Sequence, residues 1–165
     1  MKVKIYTDGS ARGNPGPGGY GTVLLYTAPS GKEHRRELSG GYENTTNNRM
    51  ELMAAIAGLE ALIRPCHVDL YSDSQYLVKA FNEHWIDNWK KKHWKKNGKE
   101  MVKNVDLWKR LLAAMEPHEV VYHWVKGHAG HPENEMCDTL AVEAACGEEL
   151  QEDRILRNEE FFDIM

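Results

Sequence analysis

The chain has 165 residues, enough for one domain around a single sizeable core, and its 41% hydrophobic and 28% charged residues describe an ordinary globular protein. No run of 18 apolar residues marks a membrane span, and the start, MKVKIYTDGS, lacks the apolar stretch of a signal peptide, so a cytoplasmic location is expected. The net charge of −4 conceals a basic region, nine Lys and Arg against two acids between Asn88 and Arg110, and an acidic tail of seven acids against two Arg from Glu148 onward.

Val3, Ile5 and Thr7 alternate with Lys2, Lys4 and Tyr6, the period of a strand. DGSARGNPGPGGYG then predicts a long turn, and GTVLLYTA and HRRELSGGYEN two more strands of an antiparallel meander. From Met50 the apolar spacing is helical, through Leu52, Ala55, Ile56, Leu59, Leu62 and Ile63, until Pro65 stops it. Asn48 fits an N-cap there, with Glu51 three residues on as its capping-box partner. HVDLYSDS reads as a fourth strand, followed by a short helix begun by Ser72 or Ser74. Residues 85–96 read as a helical stretch rich in Trp and Lys, broken at Asn97-Gly98. Asn104 starts a further helix, VVYHWVKG is a fifth strand, and Pro132 opens a last helix that ends at Gly147. A meander followed by alternating strands and helices predicts an α/β fold with a mixed sheet and helices on its faces. Cys66, Cys137 and Cys146 are odd in number and lack CxxC spacing, which favours buried reduced thiols over disulfides or zinc.

Four carboxylates stand at the joints of this plan. Asp8 ends the first strand, Glu51 lies in the first turn of the first helix, Asp73 ends the fourth strand and Asp138 lies in the last helix. A helical connection between strands one and four makes them parallel neighbours, about 4.8 Å apart. Asp8 and Asp73 are then placed to share a divalent cation. Either acid alone is also an ordinary turn residue.

TDGSARGNPGPGGYG, TTNNRMELMAAI, YSDSQY, WIDNWKKKHWKK with KNVDLW behind it, and WVKGHAGHPENEMCD, in this order, closely resemble the bacterial ribonuclease HI family. The resemblance covers about residue 2 to Gly147. It implies a ribonuclease H-like fold: a five-stranded mixed sheet, three antiparallel strands and then two parallel ones, flanked by helices. It implies a catalytic domain over residues 1–147, with a basic protrusion at about 85–103, and leaves 148–165 as an acidic extension. The activity implied is endonucleolytic cleavage of the RNA strand of RNA/DNA hybrids, leaving 5′-phosphate and 3′-hydroxyl ends. Asp8, Glu51, Asp73 and Asp138 match the family's metal-binding carboxylates, holding two Mg²⁺ ions, with Mn²⁺ as a substitute.

His128, in KGHAGH, matches the family's catalytic-loop histidine, which assists proton transfer or product release. Asn14, Asn47, Asn48 and Gln75 match RNA-contacting positions, and amides can meet a 2′-hydroxyl as donor and acceptor. Thr46 and Asn88 match a pocket for a DNA phosphate. Lys90, Lys91, Lys92 and Lys95 match a substrate-gripping helix in which Trp89 is also placed, although its Trp residues read first as packing. Ala11 stands where many relatives carry Cys, so a contact there has to come from the backbone. An acid near a helix N-terminus is expected to be held ionised, which would suit Glu51 as a ligand.

Two rival readings follow the same motifs. An inactive hybrid- or duplex-RNA-binding module would be expected to have lost a carboxylate, and the integrase and resolvase nucleases lack the Trp/Lys protrusion and the amide set. The resemblance also implies a monomer that needs no protein partner. The tail is predicted to be disordered or a docked helix, the latter with Ile155, Phe162 and Met165 as its apolar stripe.

Overall fold

The computed structural model describes residues 1–98, 100–126, 132–147 and 150–151. Its elements are β1 (Lys2–Ala11), β2 (Gly16–Thr27), β3 (Glu33–Thr45), α1 (Asn47–Glu60), β4 (His67–Ser72), α2 (Gln75–Asn82), α3 (Trp85–Lys91), β5 (Lys95–Asn97), β6 (Glu100–Met101), α4 (Val105–Met115), β7 (Glu119–Trp124) and α5 (Pro132–Ala145). The sheet order is β3-β2-β1-β4-β7. β1 and β2, and β2 and β3, pair antiparallel; β1 and β4, and β4 and β7, pair parallel, as expected for a meander extended by two crossover strands.

β1 sits in the middle and is covered on both sides. Val3 and Ile5 join Leu52, Ile56, Leu59, Val68, Leu70 and Trp108 in the main core, between the sheet and α1 and α4. Tyr6, on the face the alternation assigns to solvent, is buried with Val23 and Cys137 beneath α5. Each such side chain contributes about 1.5–3 kcal/mol through removal of apolar surface from water.

The glycine-rich segment is mostly strand, and the predicted long turn shrinks to the few residues between Ala11 and Gly16. The reason is tertiary. A Cβ added at Gly19 would stand 2.4 Å from the Ala141 carbonyl oxygen, and one at Gly21 would stand 2.2 Å from that of Cys137. Bare backbone in β2 is what lets α5 lie against the sheet.

Four further local expectations change. Thr46, not Asn48, caps α1: its hydroxyl accepts from the Arg49 N–H at 3.2 Å, so Glu51 falls two residues too late for a capping box. α1 stops at Glu60, which leaves Ile63 outside it and 91% exposed. The 85–96 helix ends at Lys91, because His93 and Trp94 both take positive φ and turn the chain into the β5–β6 hairpin around Gly98. Cys66 and Cys137 are buried thiols, but Cys146 is exposed and accepts a contact from Arg12 Nη2 at 2.6 Å. Of the two candidate caps for α2, Ser74 does the work, accepting from Leu77 N–H at 3.2 Å.

The chain at Gln151 runs parallel to the edge strand β3, donating to the Gly41 carbonyl at 2.8 Å and accepting from the Glu43 N–H at 2.9 Å. The predicted terminal helix, with Ile155, Phe162 and Met165, lies outside the described residues. No helix among them is long and apolar enough to cross a membrane.

Candidate active site

Register places the first two acids. β1 and β4 pair through Thr7 opposite Ser72, so Asp8 and Asp73 are the next residues on two adjacent strands leaving the sheet at the same end. Glu51 arrives from α1. It comes close because residue 9 is Gly: a Cβ there would lie 2.5 Å from the Glu51 nitrogen and 2.3 Å from the Met50 carbonyl carbon. Ligand oxygens of Asp8, Glu51 and Asp73 all fall within 4.8 Å of one another. Asp138 approaches from α5, near enough to raise the Asp8 carboxyl further.

Three or four carboxyl groups in one buried place cannot all stay ionised cheaply. Burial above all, then Asp73 and Asp138, pushes the Asp8 carboxyl up to about 8, although the Gly9 N–H bonds it at 2.9 Å. Glu51 is also raised well above the carboxylate range, by burial first and by Asp8 and Asp73 next. The expectation that the helix terminus keeps Glu51 ionised is therefore wrong. Glu51 stands past the first turn, and its desolvation outweighs the hydrogen bond it accepts from the Gly9 N–H.

Among the described residues, Glu51 Oε2 is buried without a hydrogen-bond partner. An acceptor in that state, beside two more acids, fits a hard cation with a preference for oxygen ligands.

Around this cluster the predicted contact residues separate into groups. Asn14, Asn47 and Asn48 are exposed, and they line one groove of about 620 Å³ with Thr46, Met101, Lys103 and Asn104. Asn47 Oδ1 accepts from the Ala11 backbone N–H at 2.5 Å, which ties the end of β1 to the start of α1. Asn88 is exposed on α3 and does not line the groove with Thr46; Asn104 does. Gln75 is exposed at the start of α2, two residues past Asp73.

Lys90, Lys91, Lys92 and Lys95 are all exposed along α3 and into β5. Other bases of that region have partners within the protein. Arg110 pairs with Glu60 at 2.8 Å, and Lys109 sits 5.9 Å from the centre of the Trp94 ring. Trp89 packs on Trp108 at 5.3 Å and lies 6.2 Å from both Trp85 and Trp94, half-buried against the core. This is the packing role that the Trp residues were first expected to have. His128 lies outside the described residues.

Sequence reasoning overlooked three residues here. Arg49 is 4% exposed and grips Asp106, Nη1 to Oδ1 at 3.0 Å and Nη2 to Oδ2 at 2.7 Å, while its Nη1 also donates to Asn104 Oδ1 at 3.2 Å. Trp124 Nε1 donates to the Asp73 carbonyl at 3.3 Å. Asn134, one turn before Asp138 on α5, is buried with its Oδ1 unpartnered among the described residues. Only Asn134 left a signal, its i, i+4 spacing from Asp138.

Comparison with known proteins adds an independent line. The family model described as RNase H matches residues 1–146. A ribonuclease H of Lachnoclostridium phytofermentans is 68% identical over 157 residues, spanning 94% of this chain and 99% of that protein. One from Rippkaea orientalis is 57% identical, spanning 95% and 93%. Among solved structures, LC9-RNase H1, a type 1 RNase H with the type 2 active-site motif, superposes with a TM-score of 0.80 at 34% identity, covering 90% of this chain and 74% of that one. LC11-RNase H1, solved in complex with an RNA/DNA hybrid, gives 0.63 at 26% identity, covering 87% and 96%.

Proposed function

The chain belongs to the RNase H family, and on that premise we propose that it is an endonuclease that hydrolyses the RNA strand of RNA/DNA hybrids at Asp8, Glu51, Asp73 and Asp138, leaving 5′-phosphate and 3′-hydroxyl ends. The observation that carries this reading is the meeting of Asp8, Glu51 and Asp73 within 4.8 Å, with a buried, unpartnered oxygen on Glu51. Asp8, Glu51, Asp73 and Asp138 would hold two Mg²⁺ ions, or Mn²⁺ in their place. Bound there, the ions supply activation of the attacking water and stabilisation of the leaving 3′ oxygen.

The chain's own residues do the rest. With no cation Asp8 keeps a proton near neutrality, so it must release that proton to act as a ligand. Asn47 has committed its carbonyl oxygen to Ala11 and has its NH₂ group to offer to a 2′-hydroxyl oxygen. Asn14 and Asn48 supply further amides in the same groove, and Gln75 supplies one at the start of α2. The Thr46 hydroxyl oxygen accepts from Arg49, which leaves its hydrogen to donate to a phosphate oxygen in the groove, beside Lys103. Lys90, Lys91, Lys92 and Lys95 neutralise backbone phosphates, and Asn88 stands beside them on α3. His128 assists proton transfer or product release. Residues 1–147 form the catalytic domain, with 148–165 an acidic extension, and the enzyme works as a cytoplasmic monomer.

The test is a duplex with an end-labelled RNA strand paired to DNA, incubated with Mg²⁺ or EDTA beside RNA/RNA and DNA/DNA controls. Cutting of the hybrid's RNA strand alone, dependent on Mg²⁺ and leaving 5′-phosphates, is expected. Hybrid binding without cutting would support the inactive-module reading instead.

A further inference from the structure

Tyr76 stands one side chain back from the groove, half-buried in the first turn of α2. Its phenolic oxygen receives two hydrogen bonds, from Trp108 Nε1 at 3.0 Å and from Asn104 Nδ2 at 3.2 Å. The Tyr76 ring packs on that of Trp108 with 5.2 Å between centres, and Trp108 is fully buried, so the core fixes this acceptor in place. Asn104 is the unusual partner. It caps α4 in the left-handed conformation, φ 62° and ψ 26°, and its side chain makes no capping bond, although Asn in that position ordinarily accepts from an N–H of the first turn. Two other groups hold the carboxamide instead. Arg49 Nη1 donates to its Oδ1 at 3.2 Å, and a guanidinium can only donate, so the amide turns its oxygen to Arg49 and its nitrogen to Tyr76. One N–H goes to Tyr76, which leaves the second to give. Asn104 lines the groove with Thr46 and Lys103. A strained backbone with a forgone cap is a feature that functional sites retain.

We infer that Tyr76 is a positioning residue for hybrid binding: its hydroxyl sets the Asn104 carboxamide so that the second N–H donates to a backbone phosphate oxygen in the groove. The inference rests on the reading that this groove takes a nucleic-acid strand. Tyr76 touches no substrate and acts through Asn104. With its oxygen removed, the carboxamide is held by Arg49 alone and can rotate about that bond, so its N–H loses its aim. Tyr76 also follows Gln75 and stands three residues after Asp73, so one hydroxyl ties the strand end that carries an acid of the site to the groove wall at the start of α4. The donor is neutral. It adds affinity without adding to the salt dependence that the lysines carry.

The experiment compares the full chain with Tyr76→Phe, Asn104→Ala and the double variant. Affinity for a labelled RNA/DNA hybrid is read by fluorescence anisotropy in EDTA, and kcat from cleavage in Mg²⁺ at saturating hybrid. Tyr76→Phe keeps the ring on Trp108 and removes only the acceptor. It should weaken binding by about 3–10-fold, with kcat within about twofold of the parent. In the Asn104→Ala background the same change should cost less than about twofold in affinity, because the group it positions is gone. The Tm should fall in both backgrounds, since Trp108 Nε1 loses its acceptor in each. A purely structural hydroxyl predicts that fall with affinity unchanged. If the parent binds the hybrid, unchanged affinity in Tyr76→Phe, or an equal loss in the Asn104→Ala background, would overturn the inference alone. A parent chain that binds no hybrid would overturn the reading of the groove and the inference with it.

Discussion

Arg49 and Asp106 close a two-pronged ion pair across the N-termini of α1 and α4, and the same guanidinium holds the Asn104 side chain. The pair lies under the groove that Thr46, Asn47, Asn48 and Lys103 line, so it fixes one wall against the other. Arg49→Met removes one partner and leaves a carboxylate facing a half-buried position. A loss of about 3 kcal/mol is expected, seen as a fall in Tm of roughly 10 °C. Hybrid affinity should fall with it, because the groove loses its brace. Equal Tm for Arg49→Met and the parent chain would show that the pair is not structural.

Asp8 makes the metal-free protein sensitive to pH in a direction opposite to that of an ion-paired acid. Its carboxyl is raised from 3.8 to about 8, so the stability it contributes is present below the lower value and is lost as pH rises through the upper one. Asn at this position has no proton to lose. In EDTA, Asp8→Asn should match the parent's Tm near pH 4 and exceed it increasingly toward pH 8. Mg²⁺ should narrow that gap by stabilising the parent more. A constant difference across the range would contradict the assigned shift.

The exposed lysines carry the salt dependence. Changing Lys91, Lys92 and Lys95 together to Ala should weaken hybrid binding and reduce the slope of log K against log salt by about 2–3. Trp89→Ala, by contrast, should act on Tm, because the ring packs on Trp108. An unchanged salt slope in the triple variant would remove these lysines from the interface.

Gly21 tests the packing of α5. Gly21→Ala puts a methyl group where the Cys137 carbonyl oxygen lies 2.2 Å away, so α5 must shift and take Asp138 with it. Both Tm and cleavage should drop, the first by the equivalent of about 1–3 kcal/mol. Full activity in this variant would mean that α5 can move without disturbing the acids.

What could be read from the sequence depended on how local the cause was. Alternation in KVKIYT and HVDLYS put Asp8 and Asp73 at neighbouring strand ends, because period and connection length are local quantities. The glycine run misled, since Gly19 and Gly21 serve α5, more than a hundred residues further along the chain. Asn97-Gly98 is a hairpin signal as well as a breaker, but lysine-rich flanks gave no alternating pattern to support a strand reading. Glu51 lies in the first helix as expected but past its first turn, and the helix-end argument for its charge missed its burial. Proximity to a helix end is visible in sequence, whereas burial beside Asp8 and Asp73 is made by three separate elements. Arg49 sits within a recognised motif, yet its partner Asp106 is 57 residues away.

The central claim is that the cluster around Asp8 performs the cleavage. The most direct measurement compares the parent chain with Asp8→Asn, in Mg²⁺, for cutting rate and for binding of the same RNA/DNA hybrid. The account predicts cleavage reduced by at least about a thousandfold with binding equal or tighter, because one ligand and one repulsive negative charge leave together. Cleavage by Asp8→Asn at the parent's rate would contradict it.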